Sequence, residues 1–119
     1  MESNYYEEDK LLVFKITEEI DDYSVQKIRR RADYEIERYM PKRVVFDFDS
    51  VSFMDSAGIG LIIGRYKFAK MLGGKLEVAN LTRKCKKNFW NEWGIEINSN
   101  YRIAIWDGLI LQFVVDIRK

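Results

Sequence analysis

A chain of 119 residues, 47% of them hydrophobic, is long enough to bury a core of its own, and its 20 basic and 19 acidic side chains nearly cancel to a net charge of +1. That balance gives no reason to expect a nucleic-acid or membrane surface, and no apolar run approaches the roughly 18 residues that a membrane span needs. Histidine is absent and Cys85 is the only cysteine. Together these remove Ser-His-Asp hydrolysis, histidine phosphotransfer, a zinc ligand set and an internal disulfide, so neither a catalytic nor a metal site is expected.

Read from the start, Met1-Glu2-Ser3-Asn4 is polar, with no signal-peptide core behind it, and a cytoplasmic location is expected. Tyr5-Tyr6 begins a short strand, Glu7-Glu8-Asp9-Lys10 is turn-like, and Leu11 to Ile16 is a strand by composition, which predicts a hairpin. After the polar loop Thr17 to Ser24, the residues Val25, Ile28, Ala32, Ile36 and Tyr39 recur at helical spacing between charged neighbours. That pattern predicts an amphipathic helix of about four turns, stopped by Pro41, the only proline.

Next comes the strand Arg43 to Asp49, with Val44, Phe46 and Phe48 on one face and Val45, Asp47 and Asp49 on the other. The stretch that follows, Val51 to Arg65, leaves this strand as a loop and ends inside a helix. Its apolar stripe is Ile59, Ile62, Ile63, Tyr66 and Ala69, widened by Leu61, Phe68 and Leu72, and Gly73-Gly74 closes it. Asp55-Ser56 sits where the N-cap belongs, and a Ser there can accept a hydrogen bond from a free N–H of the first turn. Gly58, Gly60 and Gly64 each disfavour the helix by roughly 1 kcal/mol relative to Ala, so something is expected to approach that helix closely.

Lys75 to Asn80 alternates as a strand. Thr82 to about Trp93 reads as a helix closed by Gly94, with the basic run Arg83-Lys84-Cys85-Lys86-Lys87 on a solvated face, and Ile95-Glu96-Ile97 is a short strand. The tail carries conflicting signals. Asp107-Gly108 between apolar runs is a hairpin signal, whereas Ile103, Trp106, Ile110, Phe113, Val114 and Ile117 fit a helical stripe; a strand near Arg102–Ile105 and a terminal helix after Asp107 are the favoured reading. The element order ββαβαβα, plus that tail, predicts one α/β domain over 1–119, with its core at about 10–94. It would be a mixed, mostly parallel sheet with helices packed against it.

At Phe53-Met54-Asp55-Ser56-Ala57-Gly58 the chain resembles the STAS domain of anti-sigma factor antagonists, most of all the sporulation type. The likeness runs through Gly64-Arg65-Tyr66-Lys67 to Gly73-Gly74, with a second patch at Glu19-Ile20-Asp21, and fades beyond Gly94. The resemblance implies a partner-switching protein rather than an enzyme. It would bind an anti-sigma factor that is also an ATP-using serine kinase, and so free a sigma factor. Phosphorylation of Ser56 would break that complex and a serine phosphatase would reset it, with no cofactor of its own. The resemblance places partner contacts at Asp21 and across Asp55, Ser56, Ala57, Gly58, Ile59 and Gly60. Two departures stand out: Ala57 replaces a second hydroxyl residue, and Glu18 stands where a Gly is frequent.

Each of these residues also has a plainer role. On local physics alone Ser56 reads as a cap, and it is the motif match that turns the reading to a phosphoacceptor. Asp21 and Asp22 could cap the first helix, and Gly58 and Gly60 could serve as packing sites. Arg65 and Lys67 are expected on the exposed side of their helix, and Trp90, Trp93 and Trp106 in packing. Asp47 and Asp49 raise a phospho-aspartate receiver, but the acidic pair expected on an earlier strand is missing. An Asp55-Ser56 nucleophile lacks a base, and Gly58-Ile59-Gly60 lacks the rest of a phosphate-binding fingerprint. The remaining alternative is a STAS scaffold or sensor subunit with a different kinase and output.

Overall fold

The computed structural model describes residues 1–52 and 54–81 in full, and the backbone of 95–98, 103–106, 109–111 and 114–117. β1 (Glu2–Tyr6) and β2 (Leu11–Lys15) form the expected antiparallel hairpin, with Tyr6 opposite Leu11. β3 (Arg43–Asp47) and β4 (Lys75–Leu81) add to it in parallel, in chain order. The connections are the helices α1 (Ser24–Tyr39) and α2 (Ser56–Met71). Strand order advances in one direction, so right-handed crossovers put both helices on the same face of the sheet.

The alternation read from the strands is the alternation that is buried. Leu12 and Phe14, Val44 and Phe46, and Leu76 and Val78 stand in register on the helix side, all at most 1% exposed. Phe14 and Phe46 meet at a ring-centroid distance of 5.1 Å. From α1, Ile28, Ala32 and Ile36 close over them, as the spacing predicts. Met40, in the left-handed region at φ 47°, ends α1 by donating its N–H to the Ile36 carbonyl, and Pro41 follows. α2 is buried around more of its circumference than its stripe suggests, because it packs against both α1 and the sheet.

Two expectations are corrected. The first concerns the tail, where no helix follows Asp107. β5 (Ile95–Asn98), β6 (Ile103–Trp106) and β7 (Leu109–Leu111) form a small antiparallel sheet with Trp106 opposite Leu109, so the two-residue spacing at 107–108 prevails over the helical stripe. β8 (Val114–Ile117) then joins β4 in parallel and completes a five-stranded sheet of order β1-β2-β3-β4-β8. A β-branched segment with an open strand edge to satisfy gains more as a strand than as a helix. The helix expected at 82–93, its basic run and Trp90 and Trp93 lie outside the described residues.

The second correction is Arg65, which is not exposed. It is 9% accessible and reaches from α2 to α1, where its Nε lies 2.7 Å from the Asp33 carboxylate. Removing one partner would strand a charge at the helix interface. Asp33→Leu is expected to cost about 2 kcal/mol, less than the roughly 3–5 of a fully buried pair, because Asp33 keeps 33% of its side chain in water. The double variant Asp33→Leu/Arg65→Met should recover most of that loss in urea denaturation. A double variant no more stable than Asp33→Leu would refute this account.

Candidate protein-binding site

The loop after β3 and the loop after β2 are separated by some thirty residues in sequence and are held together by specific contacts. Ile20 and Met54 form an isolated parallel bridge. Beside it, the Glu19 carboxylate accepts hydrogen bonds from the Ser52 N–H (3.3 Å) and the Ser52 hydroxyl (3.0 Å). Ile20 and Met54 are buried, and Gly58 of α2 lies against them. A Cβ at Gly58 would run into the Met54 side chain, coming within 2.9 Å of its sulfur. The packing reading of Gly58 therefore holds, and the glycine is what lets α2 start directly beneath the bridge.

At the start of α2 the cap is Asp55. Its backbone is extended (φ −92°, ψ −168°), and Oδ1 accepts from the N–H groups of Ala57 (2.9 Å) and Gly58 (3.4 Å). Ser56 is the first helical residue and is exposed. The cap that the sequence leaves open between Asp55 and Ser56 thus belongs to Asp55. Among the described residues nothing bonds the Ser56 hydroxyl. It stands in solvent at the positive end of the helix dipole, where an added phosphate would be tolerated.

Asp21 takes up a capping role at the other loop. Its Oδ1 accepts from the N–H groups of Ser24 (2.7 Å) and Tyr23 (3.0 Å), while the Ser24 hydroxyl accepts from the Asp21 N–H (3.1 Å). The bonds from Ser24, its backbone N–H first, hold the Asp21 carboxyl below the usual carboxylate range. Asp21 remains fully exposed beside the Ser56 loop, and Asp22 is exposed next to it.

The expected contact residues therefore divide. Asp21 and Ser56 are exposed, Asp55, Ala57 and Gly60 are half-buried, and Gly58 and Ile59 are buried. Ile59, at 0% accessibility, belongs to the core, because position four of α2 faces the sheet; it cannot offer its side chain to a partner. Asp47 is occupied structurally, accepting from the Asp49 N–H and from the Asn80 amide, each at 2.9 Å. No helix among the described residues is long and apolar enough to cross a membrane.

The reading from sequence missed the Glu19–Ser52 contact and the Asp33–Arg65 pair. Burial pushes the Asp33 carboxyl up, with Arg65 opposing, and pushes the Arg65 guanidinium down, with Asp33 opposing. No periodicity signals either contact, because each joins segments distant in the chain.

Comparison with known proteins agrees with this fold. The chain is 31% identical over 71 residues to an anti-sigma F factor antagonist of Paenibacillus polymyxa, a match covering 60% of this chain and 61% of that protein. It is 34% identical over 74 residues to the anti-sigma-B factor antagonist of Bacillus subtilis strain 168, covering 62% and 66%. Among solved structures, the unphosphorylated anti-sigma factor antagonist SpoIIAA superposes with a TM-score of 0.62 at 26% identity, over 71% of this chain and 73% of that one. The phosphorylated form of SpoIIAA from Bacillus gives 0.58 at 26% identity, over 71% and 76%. The sequence profile of the STAS domain matches residues 2–91, and the chain belongs to the STAS domain family.

Proposed function

We propose that this domain is an anti-sigma factor antagonist that binds an anti-sigma factor through the surface formed by Ser56 and the loop before α1, and that Ser56 is its switch. The anti-sigma factor would be a serine kinase. It transfers the γ-phosphoryl group of ATP to the Ser56 oxygen, the hydroxyl proton leaves and ADP is released. A serine phosphatase hydrolyses the ester and restores binding. The domain itself does no catalysis. The observation that carries this reading is the division of labour at the start of α2. Asp55 does the capping, so the neighbouring hydroxyl is exposed and spare. Phosphorylation there adds about −1.5 to −2 charge to a binding surface without removing a contact that the fold needs.

Intact-mass measurement and peptide mapping after incubation with ATP and an anti-sigma kinase of the same genome test it. One phosphate is expected, on Ser56, with loss of the complex on a sizing column; Ser56→Ala should take up none and stay bound. A stable complex with no phosphate would reduce Ser56 to an ordinary surface serine. The likeness extends to both F-type and B-type antagonists. A kinase of either type therefore belongs in the assay, and binding to neither would favour a scaffold or sensor role.

A further inference from the structure

We infer that the groove between α1 and α2 receives an acidic side chain of the same protein that binds the Ser56 surface, an inference that rests on the reading above. The groove has a volume of about 480 Å³ and begins at Ala57, the residue after Ser56. Val25 and Arg29 of α1 form one wall, and Gly60, Leu61, Gly64 and Arg65 of α2 the other.

Three observations support an occupant here, and the second gives its charge. The first is Gly64. Glycine disfavours a helix interior, yet a Cβ here would meet nothing within 4 Å, so packing inside the domain does not call for it. Its missing side chain leaves open space in the groove, the reverse of Gly58, where the neighbours demand it. The second is charge. Arg29 is exposed and forms no ion pair among the described residues, while Arg65 is already committed to Asp33. The two guanidiniums repel one another, which contributes to holding Arg65 below its ordinary range. Asp22 also lines the groove, but it precedes α1, about two helical turns from Arg29. Asp33 lies between Arg29 and Arg65, pairing with Arg65 and also attracting Arg29, so this end holds two guanidiniums to one carboxylate and keeps a positive excess, to which Lys27 and Arg30 on the same exposed stretch of α1 add. The third is continuity, since a partner seated over Ser56 and Asp21 already covers the mouth of this groove. A carboxylate inserted there would be met by the planar Arg29 fork in a partly desolvated cleft, the setting in which such pairs anchor interfaces.

Titration calorimetry of the full chain with the purified anti-sigma kinase tests the inference, with circular dichroism as a fold control. Arg29→Glu and Gly64→Leu should each weaken binding at least tenfold, whereas Arg38→Glu, the same charge change at the far end of α1, should stay within twofold. Should Gly64→Leu fail to fold, Arg29→Gln, which alters an exposed side chain only, is expected to lose at least threefold. Wild-type affinity in Arg29→Glu and in a folded Gly64→Leu, with binding still abolished by Ser56 phosphorylation, would overturn the groove and leave the switch intact. Equal losses in Arg29→Glu and Arg38→Glu would also overturn it, since the effect would then be general charge. A wild-type chain that binds no anti-sigma kinase would overturn the switch and the groove together.

Discussion

Phosphorylation of Ser56 is expected to weaken binding to the anti-sigma factor at least a hundredfold while leaving the melting temperature of the free domain within about 4 °C of its unmodified value. The two halves of that result have separate causes. Ser56 is exposed and its hydroxyl has no partner among the described residues, so the fold gives up nothing when the oxygen is esterified. The helix dipole favours an anion at this end by roughly 0.3–1 kcal/mol, so any change in melting temperature should be upward. A surface shaped to meet a hydroxyl must instead take about two negative charges beside Asp55 and Asp21, and such like-charge juxtaposition costs several kcal/mol, each 1.4 kcal/mol being tenfold in affinity. Asp55→Ala should behave in the opposite way. It removes the acceptor for Ala57 and Gly58, so stability should fall by about 1 kcal/mol while Ser56 is still phosphorylated. Calorimetry and thermal melts on the same four samples (wild type, phosphoprotein, Ser56→Ala and Asp55→Ala) separate capping from switching. A phosphoprotein that melts many degrees lower would mean that the modification acts by unfolding the domain, and the switch as described here would be wrong.

Where local chemistry decides the structure, the sequence was legible. The apolar alternation of Val44, Phe46 and Phe48 reports burial on one face because a strand has a period of two, and Ile28, Ala32 and Ile36 report a helix face in the same way. Legibility ended where two local signals competed or where the partner was distant. Asp55 and Ser56 are both good caps, and the choice between them depends on which residue leaves the loop with extended backbone, something composition does not encode. Arg65 reads as a surface residue in a helix of modest polarity. Its burial follows from Asp33, which only the packing of α1 on α2 brings within reach. The tail went wrong for a similar reason, since β8 is a strand because β4 offers an open edge. At the candidate site, the motif around Ser56 and the patch at Glu19-Ile20-Asp21 were both visible in the sequence. That they form one surface follows from the Ile20–Met54 bridge and the Glu19–Ser52 hydrogen bonds.

The same substitution at two glycines of α2 should have effects of opposite sign. Gly64→Ala is expected to stabilise the free domain by up to about 1 kcal/mol, because it gains helix propensity and meets no neighbour. Gly58→Ala gains the same propensity but drives a methyl group into the side chain of Met54, which is fully buried in the core. Overpacking of this kind costs about 1–3 kcal/mol, so a net loss is expected, and Gly58→Val, larger and stiff at χ1, should lose about 3 kcal/mol or more. The damage would not stop at stability. Met54 bridges Ile20, so displacing it pushes the loop carrying Asp21 away from the start of α2, and binding should fall together with the melting temperature. A double-mutant cycle identifies the cause. Met54→Ala alone leaves a cavity worth roughly 2–5 kcal/mol, yet the methyl group of Gly58→Ala enters that same space, so the pair should lose at least about 1 kcal/mol less than the sum of the singles. Strict additivity, or a Gly58→Ala variant as stable as Gly64→Ala, would mean that Gly58 does not wedge α2 beneath the bridge, and the two loops would then need another explanation for their alignment.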